Sequence, residues 1–507
     1  MAGYQTDWLS KWAEYSPIKT AVKDSHTGDS LSYRKLNNCA NYLSYLLSTD
    51  YDLIKGDRVA VLAEFSLEYI MLFGAVQKAG FVLVPLNFRL TGPELDYMIG
   101  NCDPRLIICE GKYQEQLANQ PNTKSVNHFI SMEALSEKVN SATGEQSGYQ
   151  FPSLDIEETD PLFILYTSGT TGFPKGCIYT HKMAFWNSIN TQLRLDITAS
   201  DHTLICMPPF HTGGWNVLLT PFLHHGGSFT LVRKFESEEI LQMLEDEEAT
   251  LFMGVPTMLR MMSSTELFKE VTLESLRYFV VGGEAMPIDL IELWQSKNKP
   301  IRQGYGLTEA GPNITSLHHD DAIRKIGSIG KPNFYVETKL ANQEGKEVAI
   351  DVEGELWIKG PMVTPGYWQN DEATAHSLSD GWFKTGDILV KDEEGYLFVK
   401  DRIKNMFISG GENVYPAEVE KVLLQHPDVR EAAVIGISDA KWGEVGKAYL
   451  VADTERQLTP ENLKAYCQKQ LAKYKIPKYF EEVEDIPKTD SGKIDRKRLV
   501  QLDTTSL

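Results

Sequence analysis

The sequence predicts an α/β protein that passes into a β-rich section and then a compact α+β section. Up to about residue 330, buried-strand runs alternate with helix-length segments; shorter strands with glycine turns follow to about 400, and a mixed pattern closes the chain. Strands separated by helices imply largely parallel sheets covered by those helices.

The elements follow in order. RVAVLA (58–63) is an apolar run of strand length, Ser66 then caps a helical pattern reaching Ala79, and FVLV (81–84) returns as strand, so the three form a βαβ unit. Pro93 sits where the first turn of another helix tolerates it, and RLIIC (105–109) is the next strand. The alternation continues through LFILY (162–166), TLICM (203–207), SFTLV (228–232), TLFMG from residue 250 and YFVVG (278–282). GELWIKG (354–360), GDILV (386–390) and GYLFVKD (395–401) then form the β-rich section. Beyond Asp401 the pattern predicts a helix over Pro416–Leu424, strands AAVIGI (432–437) and KAYLV (447–451), and a helix capped by Thr459 with Pro460 in its first turn. The expected domain boundary falls at 400–405.

With 507 residues and 42% hydrophobic composition the chain can bury large cores and should divide into more than one domain. Its 70 acidic against 50 basic residues give a net charge of -20, which favours solubility and offers no general attraction to nucleic acid or anionic lipid. Cys39, Cys102, Cys109, Cys177, Cys206 and Cys467 show no CxxC or metal-ligand spacing and read as reduced thiols. Asp7, Lys11 and Glu14 interrupt what a signal peptide needs to be apolar, and no stretch approaches a membrane span, so a cytoplasmic protein is expected. The closing Thr505–Leu507 lacks the basic residue of a peroxisomal tail.

Chemistry concentrates in short motifs. YTSGTTGFPKG (166–176) follows the strand LFILY with hydroxyls, glycines and one lysine. Glycines let main-chain N–H groups approach an anion, hydroxyls donate to it and Lys175 adds charge, so polyphosphate is the first candidate ligand against a plain surface turn. The Walker order is absent, because Lys175 follows Pro174 and precedes Gly176. QGYGLTE (303–309) offers Gly304 and Gly306 for close approach, Tyr305 as a flat face for a base, Thr308 as a phosphate donor and Glu309 as a Mg²⁺ ligand. Asp387 in KTGD suits ribose hydroxyls, although a GG or TGD turn alone is commonplace. HHDD (318–321), His224 and His225 read as solvated loops.

The series YTSGTTGFPKG, PPFHTGG, VGGEA, QGYGLTE, KTGD, DRIKN, SGGENVYP and PKTDSGKIDR resembles the adenylate-forming superfamily of acyl-CoA synthetases, from about residue 30 to about 500. The resemblance implies an N-terminal domain (1–400) of two αβ subdomains plus a β subdomain, a hinge at 401–404 and a small mobile α+β lid domain (405–507). It also implies ATP, Mg²⁺ and coenzyme A, with a small carboxylic acid as substrate; a homodimer stays open. Thr167, Ser168, Gly169, Thr170, Thr171, Gly172 and Lys175 match the loop gripping the leaving phosphates, with Thr167 also near the metal. Thr308 matches the α-phosphate contact and Glu309 the Mg²⁺ ligand. Gly283, Glu284, Ala285, Tyr305 and Gly306 match the adenine and AMP wall, and Asp387 and Arg402 the ribose clamp.

Lys493 matches the catalytic lysine, whereas without the resemblance it reads as one solvated cation among Lys488, Arg496, Lys497 and Arg498. Lys404 matches the hinge; Gly410 and Gly411 match the strand that admits coenzyme A, and Trp442 is placed on its outer path. His211 stands beside the reacting carboxylate, or is an ordinary hydrogen-bonding histidine. Gly213, Gly214 and Trp215 border the acyl pocket, with a core tryptophan as the competing reading of Trp215. PPFHTGGWN has no acid where amino-acid-activating relatives place one to pair an α-amine, which points away from amino acids, and Gly282, Gly283, Gly213 and Gly214 suggest an open slot, which points towards a medium- or long-chain fatty acid. The alternatives are an aryl acid of coumarate or benzoate type, or an acid-adenylating enzyme that loads a carrier protein. A luciferase-like oxidation of the adenylate, a P-loop ATPase and a non-catalytic ATP-binding protein are the remaining classes. Retention of Glu309 and Lys493 weighs against the last.

Overall fold

The computed structural model describes residues 6–143, 149–152, 154–167, 174–283, 286–402, 405–409, 412–439, 442–453, 458–471, 473–489 and 492–503, with backbone alone at 401–402, 408 and 412–413. It forms two compact units, residues 1–338 with 358–383, and residues 339–357 with 384–507.

In the first unit one sheet runs in the order His128–Ser131, Leu106–Cys109, Arg58–Leu62, Val82–Pro85, Pro161–Thr167, Lys175–Thr180. All pairings are parallel except the last. The predicted βαβ unit is present: Ser66 accepts from Tyr69 N and caps Leu67–Ala79, and Gly80 ends that helix at φ +69. Removing such a cap costs about 1 kcal/mol. Every residue of this helix but Glu68 is buried, which explains why its sequence is mostly apolar on all sides.

A second sheet carries, in order, Ser328–Pro332, Thr315–Leu317, Ile301–Tyr305, Tyr278–Val281, Leu251–Gly254, His202–Ile205, Ser228–Leu231, Thr20–Asp24 and Ser30–Ser32. Its central strands are parallel. The α/β class therefore holds, and the strands at 162–166, 203–207, 228–232, 250–254 and 278–282 lie within a residue or two of expectation.

The helix Trp8–Tyr15 is an element that hydropathy of the terminus alone did not disclose. It is clamped from three directions: Trp12 Nε1 donates to His224 O, Trp8 stacks on His224 with ring centroids 4.4 Å apart, and Asp7 pairs with buried Lys78 at 2.6 Å. His224 and His225 are thus not solvated. Both face Ser188, at 2.9 and 3.1 Å, and burial, then the neighbouring His225, lowers the His224 imidazole to about 3. Among the described residues no helix is long and apolar enough to cross a membrane.

In the second unit, Leu397–Arg402 lies antiparallel to Trp382–Lys391. A further sheet runs Glu412–Val414, Phe407–Ser409, Gly443–Ala452, Val429–Asp439, with Tyr479–Glu482 parallel to Gly443–Ala452. The predicted helices appear as Pro416–Leu423 and Pro460–Cys467, and Thr459 accepts from Asn462 N. A third, Arg496–Leu502, follows the lysine motif and is capped by Asp495. Separate apolar clusters, one with Val434 and Leu450 and one with Ile435 and Tyr449, cover the two faces of this sheet, as strand alternation requires.

Candidate active site

Strands Pro161–Thr167 and Lys175–Thr180 set Thr167 directly opposite Lys175, so the phosphate-loop motif closes a hairpin. Ser168, Gly169, Thr170, Thr171 and Gly172 lie outside the described residues. Thr167 Oγ1 donates to Glu309 Oε1 at 3.2 Å, which joins the first motif to the QGYGLTE motif across 142 residues. Tyr367 OH donates to the same oxygen at 3.0 Å. Glu309 is 8% exposed, and among the described residues no lysine or arginine pairs with it and no donor meets Oε2. A buried carboxylate held by neutral hydroxyls on one oxygen, with no counter-charge, fits a divalent cation.

Glu309 is delivered by the short 3₁₀ helix Thr308–Ala310, which follows the strand Ile301–Tyr305. Gly306 is glycine for packing as well, because a Cβ there would lie 1.9 Å from Pro312 O. Gly283 has φ +88 and, among the described residues, only Val255 Cγ1, at 3.9 Å, near its missing Cβ. Its positive φ and open surroundings suit a wall approached by a ligand. Glu284 and Ala285 lie outside the described residues.

The acyl-side motif splits. Gly213 opens toward Met207 Cε and Met253 Cε, each 3.9 Å from where a Cβ would sit, whereas a Cβ on Gly214 would strike Pro208 O at 2.3 Å. Only Gly213 therefore faces space. His211, part-buried, has its ring 4.6 Å from that of Phe210. Trp215 is fully buried on the π-helical turn Gly213–Val217 and packs on Phe65, Tyr69, Phe73 and Phe163, with Nε1 donating to Pro209 O at 2.7 Å. Those are the surroundings of a core tryptophan.

In the second unit Asp387 is 4% exposed and stands opposite Arg402 in the ladder. The turn before it is braced: Asp387 N donates to Thr385 Oγ1, and Gly386 N to Glu355 Oε1. Lys493 is exposed on a tight hairpin in which Thr489 N donates to Lys493 O and Asp495 N to Pro487 O. Arg496, three residues on, donates to both oxygens of Glu420 at 2.6 Å, and Glu420 also accepts from Val434 N. Trp442 is half exposed, and its backbone N–H donates to Asp439 Oδ1. Lys404, Gly410 and Gly411 lie outside the described residues.

HHDD is solvated only in part: Asp320 is 78% exposed, while His318 and His319 are half-buried. Its side-chain donors cluster within 4.8 Å, but Arg302 donates to His319 Nδ1 and faces His318 Nε2 at 3.1 Å. A guanidinium only donates, so it occupies lone pairs that a metal would need. Burial, first, and Arg302 lower both imidazoles.

Sequence reasoning missed Tyr367 and Thr364. The only signal was TPGYW, a glycine-flanked aromatic between strands, with nothing to say which carboxylate it faces.

A hairpin whose end touches a buried carboxylate with no counter-charge among the described residues is an arrangement that a magnesium-dependent nucleotide enzyme would need. Residues 9–368 match the AMP-binding enzyme family and residues 418–493 the AMP-binding enzyme C-terminal domain. The chain belongs to the AMP-binding enzyme family. It is 37% identical over 487 residues to a feruloyl-CoA synthase of Amycolatopsis sp, 96% of each chain being covered. It is 35% identical over 492 residues to the long-chain-fatty-acid–CoA ligase FadD13 of Mycobacterium tuberculosis, again covering 96% of each. Its structure superposes on the o-succinylbenzoate coenzyme A synthetase MenE of Bacillus subtilis, in complex with ATP and magnesium ion, with TM-score 0.86 and 30% identity, covering 97% and 99% of the two chains. The chain is an AMP-forming acid–thiol ligase.

Proposed function

We propose that the protein joins an extended, uncharged-tailed carboxylic acid, a medium- or long-chain fatty acid, to coenzyme A through an acyl-adenylate. In the first step a carboxylate oxygen attacks the α-phosphorus of ATP and the bond to pyrophosphate breaks; in the second the thiol sulfur displaces AMP. Two anions meet in the first step, so alignment and charge neutralisation carry the catalysis. A bound Mg²⁺ supplies charge neutralisation at the phosphates. Glu309 would hold it, with Thr167 beside it, while Lys175 and the loop 168–172 take the leaving pyrophosphate and Thr308 the α-phosphate. Gly283, Glu284, Ala285, Tyr305 and Gly306 wall the adenylate, and Asp387 and Arg402 take the ribose. Lys493 neutralises the charge that builds between acid and phosphate. We assign residues 401–404, with Lys404, as the hinge of a C-terminal domain, and Gly410, Gly411 and Trp442 to coenzyme A.

The observation that supports the substrate class is the apolar lining at Gly213, with Met207 and Met253 each 3.9 Å from where a Gly213 Cβ would sit and Val255 as far from where a Gly283 Cβ would sit. Methionines yield to chains of different length, and none of these groups would pair an ammonium. His211 is assigned to the reacting carboxylate. A second reading, an aryl acid, is favoured by the 37% identity to a feruloyl-CoA synthase. The test is a panel of alkyl acids of graded length and of aryl acids, scored by pyrophosphate release with and without coenzyme A. Turnover of alkyl acids that increases on adding coenzyme A supports the proposal; selective turnover of aryl acids replaces it with the second reading.

A further inference from the structure

We infer that residues 364–368 form a strap that fixes Glu309 and the exit strand of the phosphate loop in one geometry, with Tyr367 as the positioning residue. The inference rests on the assignment of Glu309 and Lys175 made above. The backbone of the strap ties both parts. Thr364 N donates to Glu309 O at 2.7 Å, Thr364 Oγ1 donates to Ile178 O at 2.7 Å, Ile178 N donates to Gly366 O, and Trp368 N donates to Gly176 O. Tyr367 bridges Cys177 in antiparallel register. Gly366, at φ +145, must be glycine, since a Cβ there would lie 2.5 Å from Thr374 Cγ2.

Tyr367 then makes two contacts that packing alone does not require. Its hydroxyl donates to Glu309 Oε1, and its ring lies 5.3 Å from Lys175 Nζ. Because Thr167 donates to that same Oε1, two hydroxyls fix one carboxylate oxygen and leave Oε2 without a donor among the described residues. One aromatic residue therefore orients the cation-binding oxygen and backs the loop lysine, so the metal and the pyrophosphate are presented in fixed relation.

The test is ATP binding by the full-length chain without acid, followed by calorimetry while Mg²⁺ is titrated, in the wild type, Tyr367→Phe and Tyr367→Leu. Loss of one hydrogen bond to a charged group predicts that Tyr367→Phe needs about tenfold more Mg²⁺ for half-maximal ATP binding. Saturating Mg²⁺ restores its ATP affinity, because the ring remains. Tyr367→Leu shows the same magnesium shift and, in addition, a loss of ATP affinity that Mg²⁺ does not restore. A wild-type magnesium requirement in Tyr367→Phe overturns the inference, whether or not its melting temperature falls. An affinity loss in Tyr367→Phe that saturating Mg²⁺ leaves in place overturns it too, since the role is then packing. If the wild type itself binds ATP without any magnesium dependence, the assignment of Glu309 has failed and the inference falls with it.

Discussion

Replacing Trp215 separates two readings of one residue. Its indole is fully buried among four aromatic rings, and its N–H is bonded to the buried Pro209 carbonyl at 2.7 Å. Trp215→Phe keeps an aromatic ring but strands that carbonyl, a cost of about 1–3 kcal/mol, and leaves a small cavity that adds about 1 kcal/mol. The sum is about 2–4 kcal/mol. At about 1.3 °C per kcal/mol for a unit of this size, the melting temperature of the first unit should fall by about 3–5 °C. The assay is differential scanning calorimetry together with relative kcat/KM across a ladder of fatty acids. A core tryptophan predicts the melting shift with an unchanged chain-length profile. A changed profile with an unshifted melting temperature would refute the packing argument and restore Trp215 as a gate.

The remaining predictions address charge. Lys493→Ala should lower adenylation by roughly a hundredfold or more, the scale of one preorganised donor, with unchanged melting because the residue is exposed; pyrophosphate release is the measurement. Arg496→Met strands the Glu420 carboxylate, which is only 7% exposed, and should destabilise the second unit by about 2–4 kcal/mol in urea unfolding. Burial lowers His181 to about 4 and His224, with help from His225, to about 3. Both stay neutral when folded and protonate near 6.5 when unfolded, so their contribution is complete above about pH 6.5 and lost as pH falls toward those values. His181→Gln should flatten that acid limb, which for one such group amounts to about 3 kcal/mol between pH 6.5 and 4. Gly411→Leu should spare pyrophosphate release and stop thioester formation, measured as the two half-reactions separately.

Much of the fold was legible because parallel strands buried on both faces read as continuous apolar runs, and because Ser66 and Thr459 announce their helices. The helix Trp8–Tyr15 was not legible, since its stability comes from contacts with His224 and Lys78, far along the chain. Of the candidate site, the sequence pointed to Thr167 and Glu309 as polar groups, and the structure brings those two together. Proximity was not legible: no spacing rule brings Thr167, Glu309 and Tyr367 onto one oxygen. Glycines have two readings that spacing does not separate: Gly214 and Gly306 each stand against a backbone carbonyl of their own chain, whereas Gly213 opens toward methionine side chains. The histidine pairs misled because their partners Ser188 and Arg302 come from other elements.

The central claim is that the acid itself displaces pyrophosphate from ATP on this protein. Labelled pyrophosphate should enter ATP only when a suitable fatty or aryl acid is present, without coenzyme A, and Lys493→Ala should reduce that exchange by roughly a hundredfold. Exchange that ignores the acid, or its absence with every acid tried, contradicts the account.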